Sequence, residues 1–170
     1  MLDQGQIRAL LPQRFPMLLL DRVTHVEPGE SITACKAVTC AEPCYSNLSP
    51  TTEGHDFAYP ESLLIESFGQ AAAILWFLSG MDIDRRELLP MLAAVRDVEF
   101  DSTVSPGDTV RHEVRLDQMV DGAGFASGEI WEGQRKIATV GSLLAVIRSP
   151  SALLPRQYPT RKGPDDDQTG

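Results

Sequence analysis

A chain of 170 residues, 42% hydrophobic and 23% charged, is long enough to fold around one core without disulfide or metal staples, so a single domain is expected. A formal charge of −9 argues against nucleic acid as a general partner, because phosphate binding needs a dense cationic surface. The opening Met1-Leu-Asp-Gln-Gly-Gln has neither a basic start nor a hydrophobic signal region, and Cys35, Cys40 and Cys44 form no CxxC pair; both features point to a cytoplasmic protein with reduced thiols.

A short helix is predicted over residues 4–10, capped by Asp3 and stopped before Pro12. Residues 18–26 read as a strand and 31–38 as its hairpin partner, joined by the turn Glu27-Pro-Gly-Glu30. Cys35 falls within that alternation, and even with His55 the three cysteines match no common zinc spacing. Small buried thiols and no metal are therefore expected. Residues 39–59, with Pro43, Asn47, Pro50 and Gly54, read as a loop, and a loop of this length in a small domain is more often functional than idle.

The loop leads into a helix from Tyr59 to Leu78, with Pro60 suited to the first helical position and Gly80 just past the end. Apolar side chains cover nearly every direction around its axis, which describes a helix enclosed by protein. Glu66 is the one carboxylate in its apolar part. Buried there, it must be paired, hydrogen-bonded or protonated, and each state suits acid–base chemistry. A structural alternative is satisfaction by Gln70, one turn away on the same face, or by the edge of a dimer interface. Interrupted by Glu66, Ser67 and Gln70, the apolar run is too short to cross a bilayer, so no membrane role is expected.

Residues 81–89 form a charged connector. Strands follow over 92–100, 109–119, 125–131 and 136–148, separated by Ser105-Pro-Gly-Asp108, Asp121-Gly-Ala-Gly124 and Glu132-Gly-Gln134. His25 at a strand end and His112 on an alternating strand are expected at the surface or an edge. Two strands, a long helix and four strands define an α+β domain over residues 1–149, in which one antiparallel sheet wraps the helix. The Pro/Asp-rich tail, residues 150–170, is expected to be mobile at its end.

Four collinear stretches give this order a family resemblance. Ile7-Arg-Ala-Leu-Leu-Pro-Gln-Arg-Phe-Pro-Met-Leu-Leu-Leu-Asp-Arg-Val23 resembles "LLPHRYPFLLVDRV", and Val38-Thr-Cys-Ala-Glu-Pro43 resembles "VTxNEP". Tyr59-Pro-Glu-Ser-Leu-Leu-Ile-Glu-Ser-Phe-Gly-Gln70 resembles "MPGVLIIEALAQ", and Val104-Ser-Pro-Gly-Asp108 matches "VxPGD". These are motifs of the β-hydroxyacyl-acyl-carrier-protein dehydratases of the hot-dog fold. The resemblance implies a dimer with two sheets side by side and active-site tunnels at the subunit boundary. It also implies elimination of water from a 3-hydroxyacyl thioester to give a trans-2-enoyl product in fatty acid or polyketide biosynthesis. The acyl chain rides on the phosphopantetheine of an acyl carrier protein, with no other cofactor.

In that family the helix carboxylate, here Glu66, acts beside a histidine from the other subunit's "GHFPGxP" loop. Counting forward from Glu42-Pro43 places Leu48 at the histidine's position. Counting back from Tyr59-Pro60 finds Gly54-His55, three residues nearer the helix. His55 is thus the candidate catalytic histidine if the loop shortens; otherwise the position is vacant, and a second hot-dog subunit would supply the imidazole in a heterodimer instead of a homodimer. The family's glycine after proline, whose N–H holds the thioester carbonyl, is Glu61 here. Its amide can still donate, and its carboxylate suits the positive end of the helix dipole. Leu48, Tyr59, Pro60, Glu61 and Gln70 are the candidate substrate-binding residues. Arg14, Arg85, Arg86, Arg96 and Arg135 are candidates for docking an acidic carrier. The rival readings are a hot-dog thioesterase working with Glu66 and water, and a noncatalytic acyl-binding subunit.

Overall fold

The computed structural model of the chain describes residues 1–49, 51–80, 89–120 and 122–148. Its elements are α1 (Gln4–Leu10), β1 (Arg22–Glu27), β2 (Ser31–Ala37), α2 (Glu61–Leu78), β3 (Leu89–Phe100), β4 (Thr109–Val120), β5 (Ala123–Glu132) and β6 (Arg135–Arg148). The connector expected over 81–89 lies outside the described residues except for Leu89, which begins β3, and the tail expected over 150–170 lies outside them altogether.

Local chemistry accounts for the element ends. Asp3 accepts from the Gln6 amide at 2.9 Å while the Gln6 side chain accepts from the Asp3 amide at 3.0 Å, a reciprocal box that satisfies two donors at the start of α1. Pro60 is the N-cap of α2, one position earlier than expected, and its carbonyl accepts from the amides of Leu63 and Leu64. Gly80 follows the C-cap Ser79 at φ 93, a conformation that favours glycine. The first strand begins at Arg22 instead of residue 18. The preceding backbone bonds to the helix instead: the Leu19 amide donates to Gln70 Oε1 at 3.0 Å, and the Met17 carbonyl accepts from Gln70 Nε2 at 2.7 Å.

The six strands form one antiparallel sheet in the order β1-β2-β4-β5-β6-β3, and α2 lies against β2, β4 and β5. Alternation along the strands sends Ile32 and Ala34 of β2, Val110 and Val114 of β4, and Ala126 and Ile130 of β5 into the core. Gly124 admits Trp76 of α2, since a Cβ there would come within 2.3 Å of the indole ring. By length and composition alone α2 could cross a membrane, but 61% of it is buried inside the protein, which makes it the core helix of the sheet. β3 is an edge strand paired only with β6 among the described residues, and Pro90, which has no N–H for a ladder, is tolerated there.

Two expectations are corrected. His112 is fully buried instead of lying at the surface, because it is in phase with Val110 and Val114 on the inner face of β4. Its Nε2 shares a hydrogen bond of 2.9 Å with Ser67 Oγ, and Phe68 meets the ring edge-on. The cysteines are not small buried side chains: Cys40 and Cys44 are exposed on the loop, and Cys35 lies on the outer face of β2, partly exposed.

Burial, with the charge of Lys36 adding to it, pushes the His112 pKa down to about 3, so the ring is neutral in the folded state. Above the unfolded value of about 6.5 neither state carries the proton, and below it only the unfolded chain binds one. Stability should therefore fall as pH drops from about 6.5 toward about 3, with about 2 kcal/mol lost from this group between pH 7 and pH 5. Denaturant titrations of the wild type and His112→Leu at the two pH values test this. Parallel losses in both proteins would mean that His112 is not held neutral.

Candidate active site

The entrance to α2 is clamped before the helix begins. The Tyr59 amide donates to the Val104 carbonyl, and the Tyr59 hydroxyl donates to Glu42 Oε2 at 2.8 Å. Glu42 Oε1 accepts from Lys36 Nζ and from the Thr39 amide, each at 3.1 Å, and the Lys36 ammonium sits 5.2 Å from the Tyr59 ring centre. Lys36 is 4% exposed, and Glu42 is the counter-charge that makes its burial tolerable. Burial first, then the hydrogen bond to Glu42, push the Tyr59 hydroxyl pKa far above its ordinary value, so it stays a donor. This cluster holds the 39–59 loop, which contains two 3-10 turns, Pro43–Tyr45 and Gly54–Phe57, against the start of the helix.

Glu66 projects from the second turn of α2 and is partly exposed in the single chain, so the enclosure expected for it is incomplete. The physical reason lies in the placement of α2 over β2, β4 and β5, which leaves the Glu66 side facing β6 and the edge strand β3. Glu66 Oε1 accepts from Gln70 Nε2 at 2.8 Å and from Gln13 Nε2 at 3.4 Å. Gln70 is itself fully used by Leu19, Met17 and Glu66 and is 1% exposed, so it sets the carboxylate's orientation. Glu66 Oε2 makes no hydrogen bond among the described residues. The pair lines a pocket of about 50 Å³ with Gln13, Gly69, Ala73 and Leu143. A wider, mostly apolar hollow of about 280 Å³ is lined by Met17, Leu19, Pro43 and Leu63 but excludes Glu66. Neither is by itself an acyl tunnel that includes the carboxylate.

The other candidate residues are distributed around this centre. Glu61 is exposed in the first turn of α2, where its carboxylate faces the positive end of the dipole. Leu48 is half-buried against the core, and the backbone of His55 lies in the Gly54–Phe57 turn, its side chain being outside the described part. Arg14 and Arg96 are exposed. Arg135 is engaged by Asp108, Glu132, Ser102 and the Thr103 carbonyl, whereas Arg85 and Arg86 lie outside the described residues. Periodicity does not single out Gln13, which sits in an irregular stretch; the available signal is that it replaces the histidine of "LLPHRYP".

A long central helix against a six-stranded antiparallel sheet, with a carboxylate pocket on the helix, defines a hot-dog protein. The fold is shared with the solved dehydratase heterocomplex ApeI:P from Xenorhabdus doucetiae, at a TM-score of 0.69 and 21% identity over 85% of this chain and 92% of that one. It is shared too with a mutant of the thioesterase PA1618 from Pseudomonas aeruginosa, at a TM-score of 0.60 and 13% identity over 87% and 95%. Residues 11–141 match the family described as a FabA-like domain, and the chain belongs to that family. It is 35% identical over 147 residues to the 3-hydroxyacyl-[acyl-carrier-protein] dehydratase FabZ of Variovorax paradoxus, covering 86% of this chain and 95% of the relative. It is 38% identical over 141 residues to the FabZ of Myxococcus xanthus, covering 75% and 88%.

Proposed function

We propose that this chain is a dehydratase-like protein that eliminates water from a 3-hydroxyacyl-acyl-carrier-protein thioester to give the trans-2-enoyl thioester. The observation that carries this reading is Glu66, fixed through Oε1 by Gln70, with Oε2 unpaired among the described residues, beside a pocket. Elimination needs one group to take the proton next to the thioester carbonyl and another to protonate the departing hydroxyl. Glu66 supplies one of these. The free N–H groups and dipole at the start of α2 are suited to the charge that builds on the thioester oxygen, with the Glu61 amide among the donors.

A second hot-dog subunit completes the site in this reading. A pocket of about 50 Å³ is far below the several hundred Å³ of an ordinary ligand site, and β3, paired only with β6 among the described residues, carries the exposed Leu92. The altered loop, with Leu48 where the family's histidine belongs, favours a heterodimer whose partner brings the imidazole. The carrier docks through Arg14 and Arg96, while Arg135 is already neutralised by acidic neighbours. Three free thiols support a cytoplasmic setting.

Product identity tests the reaction. Incubation with a 3-hydroxyacyl carrier protein should give the enoyl thioester still attached to the carrier, slowly from the chain alone and much faster once a histidine-bearing hot-dog subunit is added. Release of free acid would make the chain a thioesterase. Binding without turnover under both conditions would make it an acyl-binding subunit.

A further inference from the structure

We propose that the segment Ala152-Leu153-Leu154, beyond the end of β6, docks on the outer face of the sheet over an apolar patch centred on Phe125, Leu144 and Val146. This contact surface is separate from the Glu66 pocket and does not depend on the dehydratase reading.

The outer face has two unlike halves. Ala126 of β5 and Leu143 and Ala145 of β6 pack into the core, so alternation turns Phe125, Leu144 and Val146 the other way. The register extends the patch across three strands. Phe125 lies opposite Leu144 and Leu144 opposite Ala94, while Ala123 lies opposite Val146 and Val146 opposite Met91. All six residues are apolar, and each is partly exposed. The other half of the same face is closed by its own polar contacts: Arg111 to Glu113 at 2.9 Å, Lys136 to Glu129 at 3.8 Å and Ser127 to Asp117 at 2.8 Å. Contiguous apolar surface beside such a polar half marks a contact.

The place where β6 ends selects the occupant. β6 carries Leu144 and Val146 and runs on to Arg148 at the border of the patch, from which the sequence continues Ser149-Pro-Ser-Ala-Leu-Leu-Pro155. Ala152, Leu153 and Leu154 are the one run of three apolar side chains between 149 and 170, prolines aside. Pro150 has no N–H to prolong the ladder of β6, and it suits a reversal of the chain. Extended backbone covers roughly 3.3 Å per residue, so the segment from Arg148 to Leu153 is long enough to return over Val146 and Leu144 after a turn. A second copy of the chain fits less well. A stable interface takes about 800 Å² from each partner and would spread onto the charged half, whereas a tethered segment acts at an effective concentration of about millimolar and needs only a few side chains. Met91 and Ala94 belong to β3, whose other face presents Leu92 to the Glu66 pocket, so the docked segment backs that wall from behind.

Nuclear Overhauser contacts in the full-length, methyl-labelled protein test this. In the wild type the Leu153 or Leu154 methyls should show cross-peaks to the Phe125 ring, and a mixture of labelled and unlabelled chains should show that they arise within one molecule. Leu153→Asp combined with Leu154→Asp should shift the Leu144 and Val146 methyl signals and raise binding of an apolar dye. The contact between Phe68 and His112 in the core should persist, which is the check on folding. The inference is overturned if the Phe125 ring meets another molecule, meets the 81–88 connector, or meets neither leucine. Unchanged signals and dye binding in the doubly substituted chain would overturn it equally.

Discussion

Glu66→Gln is expected to lower turnover of a 3-hydroxyacyl carrier protein by at least about a hundredfold while leaving the fold intact, because it removes an acid–base group and preserves shape. The amide can still accept from Gln70 through its oxygen, so the contact between second and third turns of α2 survives. Unlike Lys36 or His112, Glu66 is not deeply buried, and its replacement by a neutral isostere leaves no unpaired charge in the core. The thermal midpoint should hence stay close to that of the wild type. Wild-type-like turnover by a correctly folded Glu66→Gln protein would take the residue out of the mechanism.

The second large effect concerns the histidine. Turnover by the chain alone is expected to be low and to rise about a hundredfold or more when a histidine-bearing hot-dog subunit is added, the usual scale for restoring an acid–base partner. His55→Ala should then change the rate of the mixture by no more than about twofold. This expectation follows from the chain count that leaves Leu48 at the histidine's position, and from a loop pinned through Glu42, Lys36 and Tyr59 at the helix entrance. If His55→Ala costs the chain alone as much as Glu66→Gln does, the loop has supplied its own imidazole and the protein is a self-sufficient dehydratase. Light scattering on the same samples would show whether the active species holds one kind of chain or two.

The opening capped helix, the β-rich second half and the enclosed central helix were legible because each depends on neighbours a few residues apart: a cap at the first turn, alternation at every second residue, a glycine past the helix end. The Glu66–Gln70 contact is of the same kind, one helical turn apart. Only one of the four family motifs, the one that opens α2, sits mainly on such an element; the other three lie mostly in the irregular stretches before β1, after β2 and before β4, and were readable as residue identities.

What required the tertiary structure are contacts that span the chain. Gln13 reaches Glu66 across 53 residues of sequence, and His112 meets Ser67 across 45. Alternation puts His112 in phase with the apolar Val110 and Val114, whereas its partners Ser67 and Phe68 follow only when the fold sets β4 against α2. The late start of β1 has the same origin, because the side chain of Gln70 takes backbone groups that a strand would otherwise use. Glu66 shows the limit most clearly. Its apolar surroundings in sequence predict burial, yet its actual exposure depends on α2 lying against β2, β4 and β5 so that Glu66 faces β6 and β3, which no local pattern encodes.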